Sequence, residues 1–107
     1  MDTKVLDAVI QLKLEKNAVL ATVISTKGST PRKAGSQILF YPDGYSVGTI
    51  GGGCGENEVR RHALNLMQNQ GIAHVVQVDL TQEIAESEGM ICGGTMEIFI
   101  ERLGKEK

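Results

Sequence analysis

Between Asp2 and Lys16 the apolar residues fall at Val5, Leu6, Val9, Ile10 and Leu12, the spacing of one helix face. Asp2 or Thr3 can cap its start, and Lys13 and Lys16 suit the negative end of the helix dipole. The period then changes. AVLATVIST, Ala18 to Thr26, is a β-branched run that predicts a largely buried strand. KGSTPRKAGS follows and reads as a loop from its Gly, Ser and Pro content. QILFY and YSVGTI are two short strands flanking Pro42-Asp43-Gly44, whose composition predicts a tight turn and so a hairpin. Val59, Ala63, Leu66 and Met67 line one face of a second helix, expected to begin near Cys54 to Glu56 and to stop at Gly71. AHVVQVDL is another strand, and TQEIAESEG is polar and acidic with room for a helical turn. TMEIFIERL closes the pattern as an alternating strand with Met96, Ile98 and Ile100 on one face.

This order predicts an α+β (mixed α/β) domain: a single mixed sheet with a β-hairpin, covered by two main helices. The patterns do not set the strand order. A chain of 107 residues supports one core. A net charge of -2, 4% aromatic residues and no Trp remove the electrostatic and stacking case for nucleic acid. No apolar run is long enough to span a bilayer, so no membrane role is expected. MDTKVLDAVIQLKLEK is charged throughout, without the apolar core of a signal peptide. The expected compartment is therefore cytoplasmic, with reduced thiols. Cys54 and Cys92 are then poor candidates for a structural disulfide, and they lie too far apart for a CxxC pair. Neither His62 nor His74 forms a short-spaced ligand pair with a cysteine, which argues against structural zinc.

Candidate chemistry concentrates in GTIGGGCGENEV, Gly48 to Val59. A glycine run leading from a strand into a helix exposes several amide N–H groups at the positive end of a dipole, a setting that suits an anion. Gly51, Gly52, Gly53 and Gly55 are thus read as ligand-facing rather than as a tight connection only. The segment is not a Walker loop, because Gly53 is followed by Cys54 and Gly55 instead of Lys and a hydroxyl residue. The dinucleotide fingerprint fits Gly51 and Gly53, and Asp79 ends the next strand. Its third small position falls on Glu56, however, with Glu58 close behind, and two carboxylates would repel a pyrophosphate.

The cysteines are the sharper feature. A thiol at a helix N-terminus is acidified, and Cys54 is expected there; Cys92 lies beside Gly93 and Gly94 on similarly open backbone. Among the carboxylates, Glu56 is the candidate, while Glu58, Glu88 and Glu97 read as solvated charges. His62 falls opposite the apolar stripe of the second helix and reads as exposed.

ATVISTKGSTPRKAGSQILF, GTIGGGCGENEV and GMICGGTMEIFIE together resemble the three signature stretches of the XdhC/CoxI family, in the family's order and over nearly the whole chain. The resemblance implies an accessory protein for molybdenum hydroxylases such as xanthine dehydrogenase and carbon monoxide dehydrogenase. Such a protein binds the molybdenum cofactor (molybdopterin or its dinucleotide form) transiently while its terminal sulfur is installed, and hands it to the apo-enzyme. It is a chaperone of maturation rather than a turnover enzyme, and no catalytic residue is assigned. Carried onto this sequence, the family pattern marks Ser29, Thr30, Pro31 and Arg32 in the first stretch. It marks Gly51, Gly52, Gly53, Cys54, Gly55 and Glu56 in the second, and Cys92, Gly93, Gly94 and Thr95 in the third. Soft thiolates at Cys54 and Cys92 suit a molybdenum or sulfur contact, and the glycine amides with Arg32 suit a phosphate. Whether the cysteines ligate, relay sulfur or only line the pocket stays open.

The implied partners are a molybdenum hydroxylase apo-enzyme, a cysteine desulfurase and a second copy, since a small domain with short strands has a sheet edge to cover. Longer members carry a second, Rossmann-like domain after this one, and residues 1–107 are expected to form the XdhC/CoxI-like domain alone. Two other readings stay open: a thiol-dependent sulfurtransferase or oxidoreductase using Cys54 with Cys92 as relay, and an interaction module whose glycines serve only packing.

Overall fold

The computed structural model describes residues 3–11, 17–28, 33–50, 55–69, 71–80, 83–85, 90–92 and 94–104. Helix α1 spans Thr3–Gln11, strand β1 Ala18–Lys27, β2 Gln37–Phe40 and β3 Ser46–Gly48. Helix α2 follows at Glu56–Gln68, then β4 at Ala73–Asp79, β5 at Glu83–Ala85, β6 at Met90–Cys92 and β7 at Thr95–Leu103. Five strands form one sheet in the order β3-β2-β1-β7-β4, and β5 pairs with β6 in a two-stranded ladder beside it.

The α+β class is the one the patterns predict, with two corrections. Every pairing among the described residues is antiparallel, where a mixed sheet was expected. The cause is the last strand: β7 inserts between β1 and β4 and runs against both, so the two strands pointing the same way never pair. Within the acidic segment read as room for a helical turn, Glu83–Ala85 instead form β5, held to β6 with Ile84 opposite Ile91, and the rest of that segment lies outside the described residues. A β-branched residue in each short strand favours that ladder over a lone turn.

Helix α2 packs on one face of the sheet. Val59, Ala63 and Met67, spaced by four, are buried against Val19, Ala21 and Val23 of β1 and the alternating Met96, Ile98 and Ile100 of β7. Leu66 packs at the margin of this core, and the Gly71 amide donates to the Leu66 carbonyl, closing the helix end where a terminal glycine was expected. Helix α1 covers only the β2–β3 part of the other face, through Val5 with Ala8 and Val9 beside it. Leu6 and Ile10, placed on its apolar stripe by periodicity, stay exposed because no element packs against that side of the helix among the described residues. No helix among the described residues is long and apolar enough to cross a membrane.

Candidate functional site

Antiparallel order brings the family-like stretches to one end of the sheet. Strands β1, β3 and β4 all run toward the end at which β7 begins, since β7 is antiparallel to β1 and β4 and β2 is antiparallel to β1 and β3. Lys27, at the end of β1, lies opposite Thr95, and Asp79, at the end of β4, flanks Thr95 from the other side. Gly94 is buried, and its carbonyl accepts the Leu80 amide at 2.8 Å. The first stretch therefore enters the site from β1, the third enters it as the start of β7, and β4 closes it.

The second stretch arrives through α2. Gly55 precedes the helix with φ of 81°, a left-handed conformation that L side chains avoid. It is buried, and an added Cβ would stand 3.1 Å from Leu80 Cδ2 and 3.1 Å from Val78 Cγ1. Close contact with β4 and positive φ both demand glycine here. The first α2 bond runs from the Val59 amide to the Gly55 carbonyl, and Gly55 at the N-cap has no side chain to cap the helix. The N-cap position thus does not supply the Ser, Thr or Asp oxygen that usually receives first-turn amides.

Glu56 has a definite local task. Its Oε2 accepts the Thr49 hydroxyl at 2.5 Å and the Ile50 amide at 3.1 Å, so the first residue of α2 grips the residues leaving β3. A single carboxylate oxygen clamps both ends of the glycine segment. The sequence marks Glu56 as a ligand contact; its described contacts make it the clasp of the loop. Its partner Thr49 gives no such signal, because it lies after β3 and before α2, where neither the strand nor the helical period applies. The nearest hint is its place just before the glycine run.

Residues 29–32 and 51–54 and Gly93 lie outside the described residues, so Ser29, Thr30, Pro31, Arg32, Gly51, Gly52, Gly53 and Cys54 carry no structural statement. On the near side of the first of these segments, Gly28 follows β1 with φ of 74°. On the far side, the Gly35 amide donates to the Val23 carbonyl at 2.7 Å, and the Val23 amide donates to the Ser36 carbonyl at 2.9 Å. That doubled contact sits at the register shift between Val23 and Ser25. Cys92 ends β6, opposite Glu83, two residues before Gly94. Gly55, Glu56, Gly94 and Thr95 are brought together around the ends of β4 and β7.

The dinucleotide alternative is set aside by topology. β3 and β4 flank α2 in sequence and point the same way, but three strands separate them, so they do not form the adjacent parallel pair of a dinucleotide-binding unit. His62 is half-buried rather than exposed, and lines a cavity of about 190 Å³ with His74, Asn65, Asn69, Leu66 and Ile100. This cavity is on the α2 flank, away from the site end of the sheet: His74 is paired with Ile100, five residues up β4 from Asp79.

The sequence profile of the XdhC and CoxI family matches residues 12–79, more than half of the chain. The chain belongs to this family. A probable xanthine dehydrogenase subunit from Bacillus subtilis (strain 168) is 34% identical over 98 residues, covering 90% of this chain and 29% of that protein. An Escherichia coli (strain K12) protein called YqeB is 36% identical over 81 residues, covering 76% of this chain and 15% of its own length. A crystal structure of a xanthine dehydrogenase from Bacillus halodurans superposes with a TM-score of 0.75 at 32% identity, covering 92% of this chain and 29% of that one. The chain thus spans less than a third of each of these relatives. The two Bacillus relatives carry the name of xanthine dehydrogenase.

Proposed function

We propose that this chain binds the molybdenum cofactor and assists its sulfuration and insertion into a hydroxylase of the xanthine dehydrogenase type. The observation that carries the reading is convergence: the described parts of the second and third family stretches, and the strand that delivers the first, meet at one end of the sheet. The described residues suit an anionic, phosphate-bearing ligand. The α2 N-terminus has no side-chain cap, Gly55 leaves no side chain above the turn, and the Glu56 carboxylate is engaged by Thr49 and Ile50. Amides of the glycine segment and Arg32 would hold the phosphate, and Cys54 and Cys92 would supply thiolates to the molybdenum–sulfur end. When bound, the cofactor supplies the metal chemistry; the chain's residues hold it, orient it and keep water from its sulfur. The partners in this reading are the hydroxylase apo-enzyme and a cysteine desulfurase, in the cytoplasm, with the chain acting as a homodimer.

The test is equilibrium binding of isolated molybdenum cofactor to the reduced protein under anaerobic conditions, beside Cys54→Ala and Cys92→Ala. Binding by the wild type, weakened at least tenfold in one variant, is the expected outcome; ten-fold corresponds to about 1.4 kcal/mol. No binding by the wild type would sink the proposal. A persulfide on Cys54 after incubation with a sulfur donor, without cofactor binding, would replace it with a sulfurtransferase.

A further inference from the structure

The two edges of the five-stranded sheet are built differently. The β3 edge is three residues long and lies beside α1, with Val47 packed against the cluster around Val5. The β4 edge is seven residues long, keeps one unbroken register with β7 and contains no Pro, Gly or Lys. Proteins ordinarily blunt such an edge by shortening, bulging or charging it, because its outward N–H and C=O groups pair with any strand that reaches them. None of these devices occurs from Ala73 to Val78, a run that also lacks Asp, Glu and Arg.

The hydrogen bonds at the two ends of β4 show which groups face outward. The Arg102 amide donates to the Ile72 carbonyl at 2.8 Å at one end, and the Leu80 amide donates to the Gly94 carbonyl at 2.8 Å at the other. Both pairs continue the β4–β7 register, so the even-numbered residues of β4 turn their main chain toward β7. The amides and carbonyls of Ala73, Val75 and Gln77 therefore point away from the sheet, and all three residues are exposed. Their side chains stand on the face opposite α2, since Val76 and Val78 are the ones buried in the α2 core. On that face Val75, 49% exposed, lies opposite half-buried Phe99. Ile72, just before β4, is 70% exposed. Open main-chain groups and exposed apolar side chains thus share one edge.

A second copy brings the strand that completes this edge. Two β4 strands related by a two-fold axis run antiparallel, the pairing found throughout the described sheet. Like residues meet at such an axis, and an edge without charge between Ala73 and Val78 does not repel itself. Centring the axis on Val75 lets Val75 exchange main-chain bonds with the partner's Val75, and Ala73 with the partner's Gln77. Ile72 then lies opposite the partner's Val78, and Phe99 and Val75 of both copies form one apolar row. Asp79 falls opposite the partner's Gly71, so the two carboxylates stay apart. The axis is perpendicular to the sheet, which keeps both α2 helices on one face and sends the two site ends in opposite directions, each still open.

We propose that β4 is a dimerisation edge, pairing antiparallel with β4 of a second copy about an axis at Val75 to join the two sheets into one. The inference rests on the homodimer of the proposed function, which it gives a surface, and uses nothing of the cofactor binding. The experiment is sedimentation equilibrium of the full chain from about 10 μM to about 1 mM, a range suited to a small interface, with amide hydrogen exchange measured at both extremes. A reversible dimer is expected, and the amides of Ala73, Val75 and Gln77 should exchange at least about threefold more slowly at the higher concentration. Val75→Lys sets two ammonium groups side by side at the axis and should weaken the dimer about tenfold or more. Val75→Thr, β-branched and uncharged, should keep the dissociation constant within about threefold of the wild type. Should Val75→Lys fail to fold, exchange on the wild-type chain decides alone. A dimer that survives Val75→Lys and leaves those three amides unprotected overturns this edge and keeps the homodimer. A chain still monomeric at about 1 mM overturns both.

Discussion

At the end of the sheet where β7 begins, buried Gly55 and Gly94 meet β4, and one carboxylate, that of Glu56, ties α2 to the residues after β3; at the hairpin end the chain turns on Pro42-Asp43-Gly44, held by main-chain bonds and by several side chains. Gly55 enters α2 without a side-chain cap, and the Leu80 amide bonds the Gly94 carbonyl. Opposite, Arg60 reaches from α2 to Phe40 and Gly44, Asp43 receives the Tyr45 amide, and two tyrosine rings stack. Bare backbone leaves amides and space for a ligand to approach closely, and here one carboxylate, that of Glu56, ties its flanks together. Aromatic and charged side chains instead build a surface braced by its own contacts. The same sheet supports both because its centre, β1 paired with β7 over nine residues, is independent of either end.

If that contrast holds, the glycine end is the more fragile. Gly55→Ala should cost the most, roughly 2–3 kcal/mol, combining a left-handed alanine with crowding against Val78 and Leu80. Urea denaturation reads it, and a loss below about 0.5 kcal/mol, the size of an ordinary surface substitution, would remove the argument that this position needs glycine. Glu56→Ala should follow at about 2 kcal/mol, because it leaves the buried Ile50 amide and the Thr49 hydroxyl without their shared acceptor. Glu56→Gln keeps an acceptor oxygen and should lose about half as much. Hydrogen exchange at the Ile50 amide sharpens the point: it should accelerate in Glu56→Ala and not in a hairpin variant. At the other end, Arg60→Ala should cost only about 1 kcal/mol, since it gives up a partly exposed cation–π contact, a bond to the Gly44 carbonyl, an exposed bond to Asn57 and a long one to Ser46. Thermal unfolding measures that loss, and an effect larger than that of Gly55→Ala would reverse the ranking of the two ends.

Much of the fold was readable from local pattern. The closing strand runs Thr95–Leu103 as its alternation predicts, and Pro42-Asp43-Gly44 turns the expected hairpin. Val59, Ala63 and Met67 are buried at their four-residue spacing. The misses also have local causes. β5 and β6 are three residues each, too short for any period to show, and their ladder exists because each has the other as a partner. Leu6 and Ile10 carry the helical spacing of buried residues but lie beyond the reach of β2 and β3. Periodicity tells which residues share a face, not how much of that face is covered. At the candidate site, the glycine stretch and Glu56 stood out in the sequence and Asp79 entered only through the dinucleotide fingerprint, while Thr49 and the flanking Lys27 did not stand out.

Sequence alone determined the longer elements, the α+β class and the family, because those rest on short-range patterning and on motifs that survive as strings of residues. Tertiary structure decided what the motifs become. The placement of β7 between β1 and β4 is a long-range pairing that no local pattern encodes, and it sends the ends of β1, β3 and β4 to the same place. It gave Glu56 bonds to Thr49 and Ile50 across the glycine segment, and it put Asn17 beside two tyrosines more than twenty residues away. Contacts across such distances are chosen by which strands can share hydrogen bonds and bury a common face, so they come into being only with the assembled sheet.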